Sequence, residues 1–126
     1  MINRAEKDLE TSKYVSKTDE GISYTIAYLA MLHAGRALML SSGFRPAGEH
    51  QHKTVVEFTG ACLGKEYEVA VRIFDVMRKK RNIFTYEIDI SISNTEVKTA
   101  IENAGKFIVI IKKAIKEQNP QKTFEF

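Results

Sequence analysis

Residues 93–119 read SNTEVKTAIENAGKFIVIIKKAIKEQN, and their spacing decides the fold. Val97, Ile101, Ala104, Ile108, Ile111 and Ile115 step alternately by four and three, which keeps one side of an α-helix facing the same neighbour along its length. Such a seam belongs to a helix lying nearly parallel or antiparallel to another in a bundle. Ser93 and Glu96 have capping-box spacing and predict the start, and Pro120 predicts a stop before it. Burying one isoleucine contributes about 1.5–3 kcal/mol, so the seam as a whole is expected to outweigh any single polar misfit elsewhere.

The surface that receives this seam lies upstream. From Asp19 or Glu20 to Ser42 the chain reads as a helix whose stripe of Ile22, Ile26, Leu29, His33, Ala37 and Leu40 keeps three- and four-residue spacing. Its other side is hardly polar, since Tyr24, Ala27, Tyr28, Met31, Leu32, Leu38 and Met39 cover most of the remaining circumference. A helix that is apolar nearly all round must be covered on more than one side, so it is expected at the centre, with surplus surface for a homodimer. Gly43 is a natural stop, and Pro46 and Gly48 make Phe44 to Glu49 a loop.

The remaining elements are weaker in pattern. Ile2 to about Lys17 reads as a first helix with a thin apolar edge at Ile2, Ala5 and Leu9. A third runs from around His50 to Ala61 with Val55, Val56 and Phe58 as its apolar side, and Gly60 and Gly64 mark its end. A fourth begins near Lys65 and directs Val69, Ile73, Phe74, Val76 and Met77 towards the core. Between Glu87 and Ser93 the period changes to two, with Ile88, Ile90 and Ile92 alternating with polar residues, which predicts an extended connector. One short strand without a partner founds no sheet. The expected class is all-α, an antiparallel bundle of about four to five helices with a short extended connector, forming one domain over residues 1–126.

Composition agrees. A chain of 126 residues with 44% apolar content supports one continuous core. Its longest apolar stretch, Ile26 to Leu40, is interrupted by His33, Gly35 and Arg36, so no membrane span is expected. The single Cys62 cannot form an internal disulfide and no charged-then-apolar leader opens the chain, so a reducing cytoplasm is the expected location. Between Ala61 and Leu63, Cys62 reads as a buried thiol. A net charge of +3 favours phosphates without requiring them.

Local charge is more informative. Arg78, Lys79, Lys80 and Arg81 are followed by Asn82, and on a regular helix Arg78, Asn82 and Tyr86 form a polar ridge with Asp75 and Lys79 beside it. This ridge, opposite Ile73 and Met77, is an anion-facing surface or a solvated helix end whose charges suit the C-terminal dipole. Lys80 falls within the apolar arc, so it snorkels, marks the helix end or sits at a subunit contact. His33, inside the helix-two stripe, reads as a satisfied core histidine. His50 and His52 point in different directions on a helix and no cysteine completes a set, so no metal is expected. No Gly-rich phosphate loop or nucleophile elbow is visible, and no cofactor is expected.

The order of Tyr28-Leu29-Ala30-Met31-Leu32-His33-Ala34 with Arg36-Ala37-Leu38, Gly43, Arg45-Pro46, His52 ahead of Val55 and Phe58, and Arg78 with Arg81-Asn82 and Tyr86-Glu87 resembles a HEPN domain. The resemblance implies an antiparallel bundle, commonly a homodimer. Its superfamily includes RNases and toxins beside non-catalytic members associated with nucleotides or nucleotidyltransferases. Catalytic members carry an Arg, often followed by a polar residue, four to six positions before a His. Arg81 and Asn82 match the first half, no His follows anywhere in the chain, and Tyr86 stands where one would be. Imidazole titrates near neutrality and phenol does not, so the resemblance implies phosphate binding through Arg78, Arg81, Asn82 and Tyr86 rather than cleavage. The alternatives are a toxin-like metal-independent RNase using Tyr86, Lys79 or a partner's group, and an interaction module docking to a nucleotidyltransferase.

Overall fold

Asp19 takes extended backbone at φ −150°, and its carboxylate accepts the Ile22 N–H at 2.9 Å, which starts α2 (Glu20–Ser41). Gly43, at φ +87°, turns the chain away after it. The computed structural model describes residues 2–45, 51–86 and 91–118, leaving aside the side chains of 84–86. Before α2 comes α1 (Ile2–Val15), and after it α3 (Gln51–Leu63), which ends at Gly64 with φ +75°. One 3₁₀ turn (Lys65–Tyr67) leads into α4 (Glu68–Tyr86), and α5 (Asn94–Gln118) follows. The capping box forms as predicted: Ser93 Oγ accepts from Glu96 N–H at 3.1 Å, and Glu96 Oε1 accepts from Ser93 N–H at 3.3 Å. Five helices and no strand among the described residues make an all-α bundle; most of the expected extended connector, 87–90, lies outside them.

α2 is the central helix, touching α1, α3, α4 and α5. Ser23 Oγ donates to Ser12 O at 2.6 Å and His33 Nδ1 lies 2.5 Å from Asp8 Oδ2, so α1 runs against α2. Lys80 meets Glu96 while Phe74 meets Phe107, so α4 runs against α5. Gln118, at the end of α5, accepts from Ser41 and Ser42, which sets α5 alongside α2 in the same direction. The seam packs as expected, with Val97, Ala104, Ile108, Ile111 and Ile115 buried and Ile101 half-buried.

The phase of two other helices differs from expectation. Ile22 and Leu40, assigned to the core stripe of α2, are 51% and 42% exposed, whereas Tyr28, Met31, Leu32 and Leu38 on the other side fill the core. Periodicity cannot choose a phase where every side is apolar. On α4, Phe74 and Met77 enter the core but Val69 and Val76 are 63% and 55% exposed, because they occupy a column more than a quarter turn from Phe74. Cys62 is also exposed, near the end of α3 in a groove shared with α5, where Gln118 Nε2 donates to its sulfur at 3.2 Å. Its apolar neighbours Ala61 and Leu63 point elsewhere on the helix, so they say nothing about its own burial.

Gly35 sets how closely α3 approaches. A Cβ there would stand 2.6 Å from Val55 Cγ1 and 3.2 Å from Thr59 Oγ1, so only glycine lets α3 lie this close to α2. That contact seats the start of α3 against Tyr28 and Arg36.

Candidate functional site

The close approach of α3 brings His52 to Tyr28, with Tyr28 Oη and His52 Nδ1 3.0 Å apart and the ring centroids 5.7 Å apart. Tyr28 is fully buried, packs on Phe74 at 5.9 Å, and Phe74 packs on Phe107 at 4.9 Å. An aromatic chain thus runs from the half-buried imidazole into the core and fixes the ring's inner edge.

Three guanidinium groups bear on this pair, Arg36 from α2 and Arg78 and Arg81 from α4. Burial, then the charges of Arg81, Arg36, Arg78 and His33, push His52 below its ordinary pKa, so the ring is neutral at pH 7. Burial pushes Tyr28 up to about 12 against the opposing pull of Arg78, Arg81 and Arg36, so its hydroxyl stays protonated. Asp75 fixes Arg78, accepting from Nε at 3.0 Å and Nη2 at 2.9 Å, and also pairs with Lys79 at 3.1 Å. Burial raises the Asp75 carboxyl, but hydrogen bonds and charge from Lys79 and Arg78 outweigh it and hold the group below its ordinary value. Arg36 Nη2 donates to Gln51 Oε1 at 3.3 Å and Arg81 Nη1 to Asn82 Oδ1 at 3.4 Å. The cluster is rich in donors and positive charge around a neutral imidazole, chemistry that suits an oxyanion.

The α4 ridge is therefore divided in practice. Arg78 is 14% exposed and committed to Asp75, whereas Arg81 and Asn82 are half-buried and bonded to each other. The side chain of Tyr86 lies outside the description, and its backbone ends α4. Lys80 is not a ridge residue; it pairs with Glu96 of the capping box, which explains a lysine in the apolar arc. His33 meets Asp8, itself held by Arg4 at 3.4 Å, as a satisfied histidine should. His50 lies outside the described residues, and His52 turns to Tyr28.

Arg36, His52 and Tyr28 are the members that residue spacing did not find. Tyr28 and His52 are 24 residues apart on different helices, so no periodicity joins them, although all three occur in the ordered residues that carry the HEPN resemblance. Next to the cluster, α3 and α4 enclose an open groove of about 1090 Å³, with Val56, Gly60 and Val71 as its apolar floor and Arg78 and Lys79 at its edge.

The HEPN domain family model matches residues 1–115, and the chain belongs to that family. Membership associates it with nucleotide- or RNA-related function in general. No curated protein and no solved structure matches the chain. Among the described residues no helix is long and apolar enough to cross a membrane.

Proposed function

We propose that this HEPN domain binds the phosphate of a nucleotide or of RNA where α2, α3 and α4 meet. The observation that carries this reading is the half-buried imidazole of His52, held at 3.0 Å by Tyr28, whose pKa is lowered by burial and then by the charges of Arg81, Arg36 and Arg78 from two other helices. Arg81 and Arg36 meet the phosphate, Asn82 steadies Arg81, and Arg78, tied to Asp75, contributes charge rather than a bidentate contact. Tyr86, one turn beyond Asn82, is a further contact on the same helix. Titration of AMP and a short RNA at about 50 and 200 mM salt tests this, because counterion release makes phosphate binding weaken with salt. Arg81→Ala should reduce affinity by about 1.5–3 kcal/mol, roughly ten- to hundredfold. Salt-independent affinity, or wild-type binding unchanged in Arg81→Ala, contradicts the site. Failure of wild type to bind either ligand moves the weight to docking on a nucleotidyltransferase.

His52 favours a second reading, metal-independent RNA cleavage. No histidine follows Arg81 in sequence, yet α3 supplies an imidazole whose pKa the Arg81 charge helps set. Such a group is suited to moving a proton during attack by a ribose 2′-hydroxyl. RNA left intact by wild type retires this reading without touching the first; cleavage abolished in His52→Ala supports it.

The homodimer is part of the same proposal, but it belongs on α4 rather than α2. Packing within the chain covers most of α2, while Val69, Val76 and Ile83, seven residues apart, stay exposed in one column.

A further inference from the structure

The Tyr28 hydroxyl is buried, and its hydrogen-bond partner among the described residues is Nδ1 of His52 at 3.0 Å. A buried hydroxyl proton left without an acceptor costs about 1–3 kcal/mol, so Tyr28 donates to Nδ1. An Nδ1 that accepts carries no hydrogen, and the proton of the neutral ring then stands on Nε2. With the inward nitrogen taken, contact with any ligand falls to the N–H at Nε2. Arg36 and Arg81 add only donors, and the carboxylate in the cluster, Asp75, is engaged by Arg78 and Lys79. The ligand edge of this site therefore offers donors to a group made of acceptors.

An anion seated there changes the balance on the ring. In the free protein His52 is hydrogen-bonded to Tyr28 of α2 and feels the charges of Arg36 from α2 and of Arg78 and Arg81 from α4, while His33, further along in sequence on α2, is held by Asp8 and Asp75 is the acidic member of the cluster. A bound oxyanion at Nε2 opposes that repulsion and favours imidazolium. The added proton must enter at Nδ1, and the Tyr28 hydroxyl rotates to accept from it, so the bound anion must also offset a cost of about 1–3 kcal/mol for turning the buried hydroxyl proton away from its acceptor.

We propose that Tyr28 is a positioning residue that keeps neutral His52 in its Nε2–H form, and that a phosphate held by His52, Arg36 and Arg81 draws a solvent proton onto Nδ1 as the Tyr28 hydroxyl turns from donor to acceptor. The proton step rests on the phosphate-binding reading above; the tautomer does not. Phosphate recognition at this site is proton-coupled, and it tightens as pH falls through neutrality.

The test uses the full chain labelled with ¹⁵N. Long-range ¹H–¹⁵N spectra of the free protein should show His52 as the Nε2–H tautomer in wild type and as a mixture in Tyr28→Phe, which keeps the ring packed on Phe74. Sulfate, whose charge is fixed over the range, and a dinucleoside monophosphate are then titrated at about pH 6, 7 and 8. Kd should fall by up to about tenfold per pH unit in the window between the free and bound pKa. His52→Gln should bind with no such dependence, and Tyr28→Phe with a flattened one. An Nδ1–H tautomer in wild type overturns the role of Tyr28, and Kd values equal at the three pH values overturn the proton step alone. Absence of binding at every pH overturns the phosphate reading and the proton step together. Should Tyr28→Phe fail to fold, the wild-type tautomer and pH series still decide.

Discussion

The hydroxyl of Thr59 is buried against Gly35 and makes no hydrogen bond among the described residues. A buried polar atom without a partner destabilises, and valine replaces the hydroxyl with a methyl of similar size. Thr59→Val should hold or raise stability by about 1 kcal/mol in urea denaturation, and a loss of that size would mean the hydroxyl is bonded after all. His52 makes stability depend on pH. Its pKa is lowered in the folded chain, so between that value and about 6.5 the unfolded chain binds more protons and stability rises with pH. The contribution is therefore present above about pH 6.5 and lost on acidification below it. Asp75, also depressed by folding, stabilises above its ordinary 3.8 and loses that contribution as pH falls further. Melts of wild type and His52→Gln across these windows should show the upper slope only in wild type.

Helices α2 and α3 meet through an absence, and that absence places the site. Gly35→Ala gains helix propensity worth about 1 kcal/mol, yet its Cβ would lie 2.6 Å from a stiff, β-branched Val55. Overpacking of this kind costs about 1–3 kcal/mol, so a net loss is expected, together with weaker phosphate binding as His52 shifts from Tyr28. Gly35→Ala combined with Val55→Ala should recover binding more than stability, because it restores the approach while leaving a smaller core side chain. Unaltered binding in Gly35→Ala alone would show that the approach does not position the site. At the start of α5, Glu96 both caps Ser93 and pairs with Lys80. Glu96→Gln keeps the capping geometry and removes the charge, whereas Glu96→Ala removes both, so the alanine variant should be less stable by about 1 kcal/mol. Equal melting of the two would assign the whole effect to the ion pair.

Across the helices taken together, the covering of α2 moves the proposed self-association surface elsewhere. With most of that helix enclosed by α1, α3, α4 and α5, the apolar column left over is Val69, Val76 and Ile83 on α4, beside a groove of about 410 Å³ against α5 floored by Ile73, Met77 and Ala100. Sedimentation at micromolar concentration should show a dimer that Val76→Asp converts to monomer without loss of helical signal. A wild-type monomer under those conditions would remove α4 as an interface between copies.

Local chemistry determined the helices, because their signals lie within one or two turns of sequence: the Asp19 cap, the Ser93–Glu96 box, the stops at Gly43 and Gly64, and the four–three seam from Val97 to Ile115. The polar ridge of Arg78, Asn82 and Tyr86 was legible for the same reason, since all three occupy one helix. The burial of Tyr28 over Ile22, the exposure of Val69 and Cys62, and the commitment of Arg78 to Asp75 depend on which neighbour covers each side, and periodicity cannot choose among apolar sides. Only the tertiary structure joined His52 to Tyr28, Arg36 and Arg81, because the distance that matters there is set by the packing of Gly35 against Val55, not by spacing along the chain.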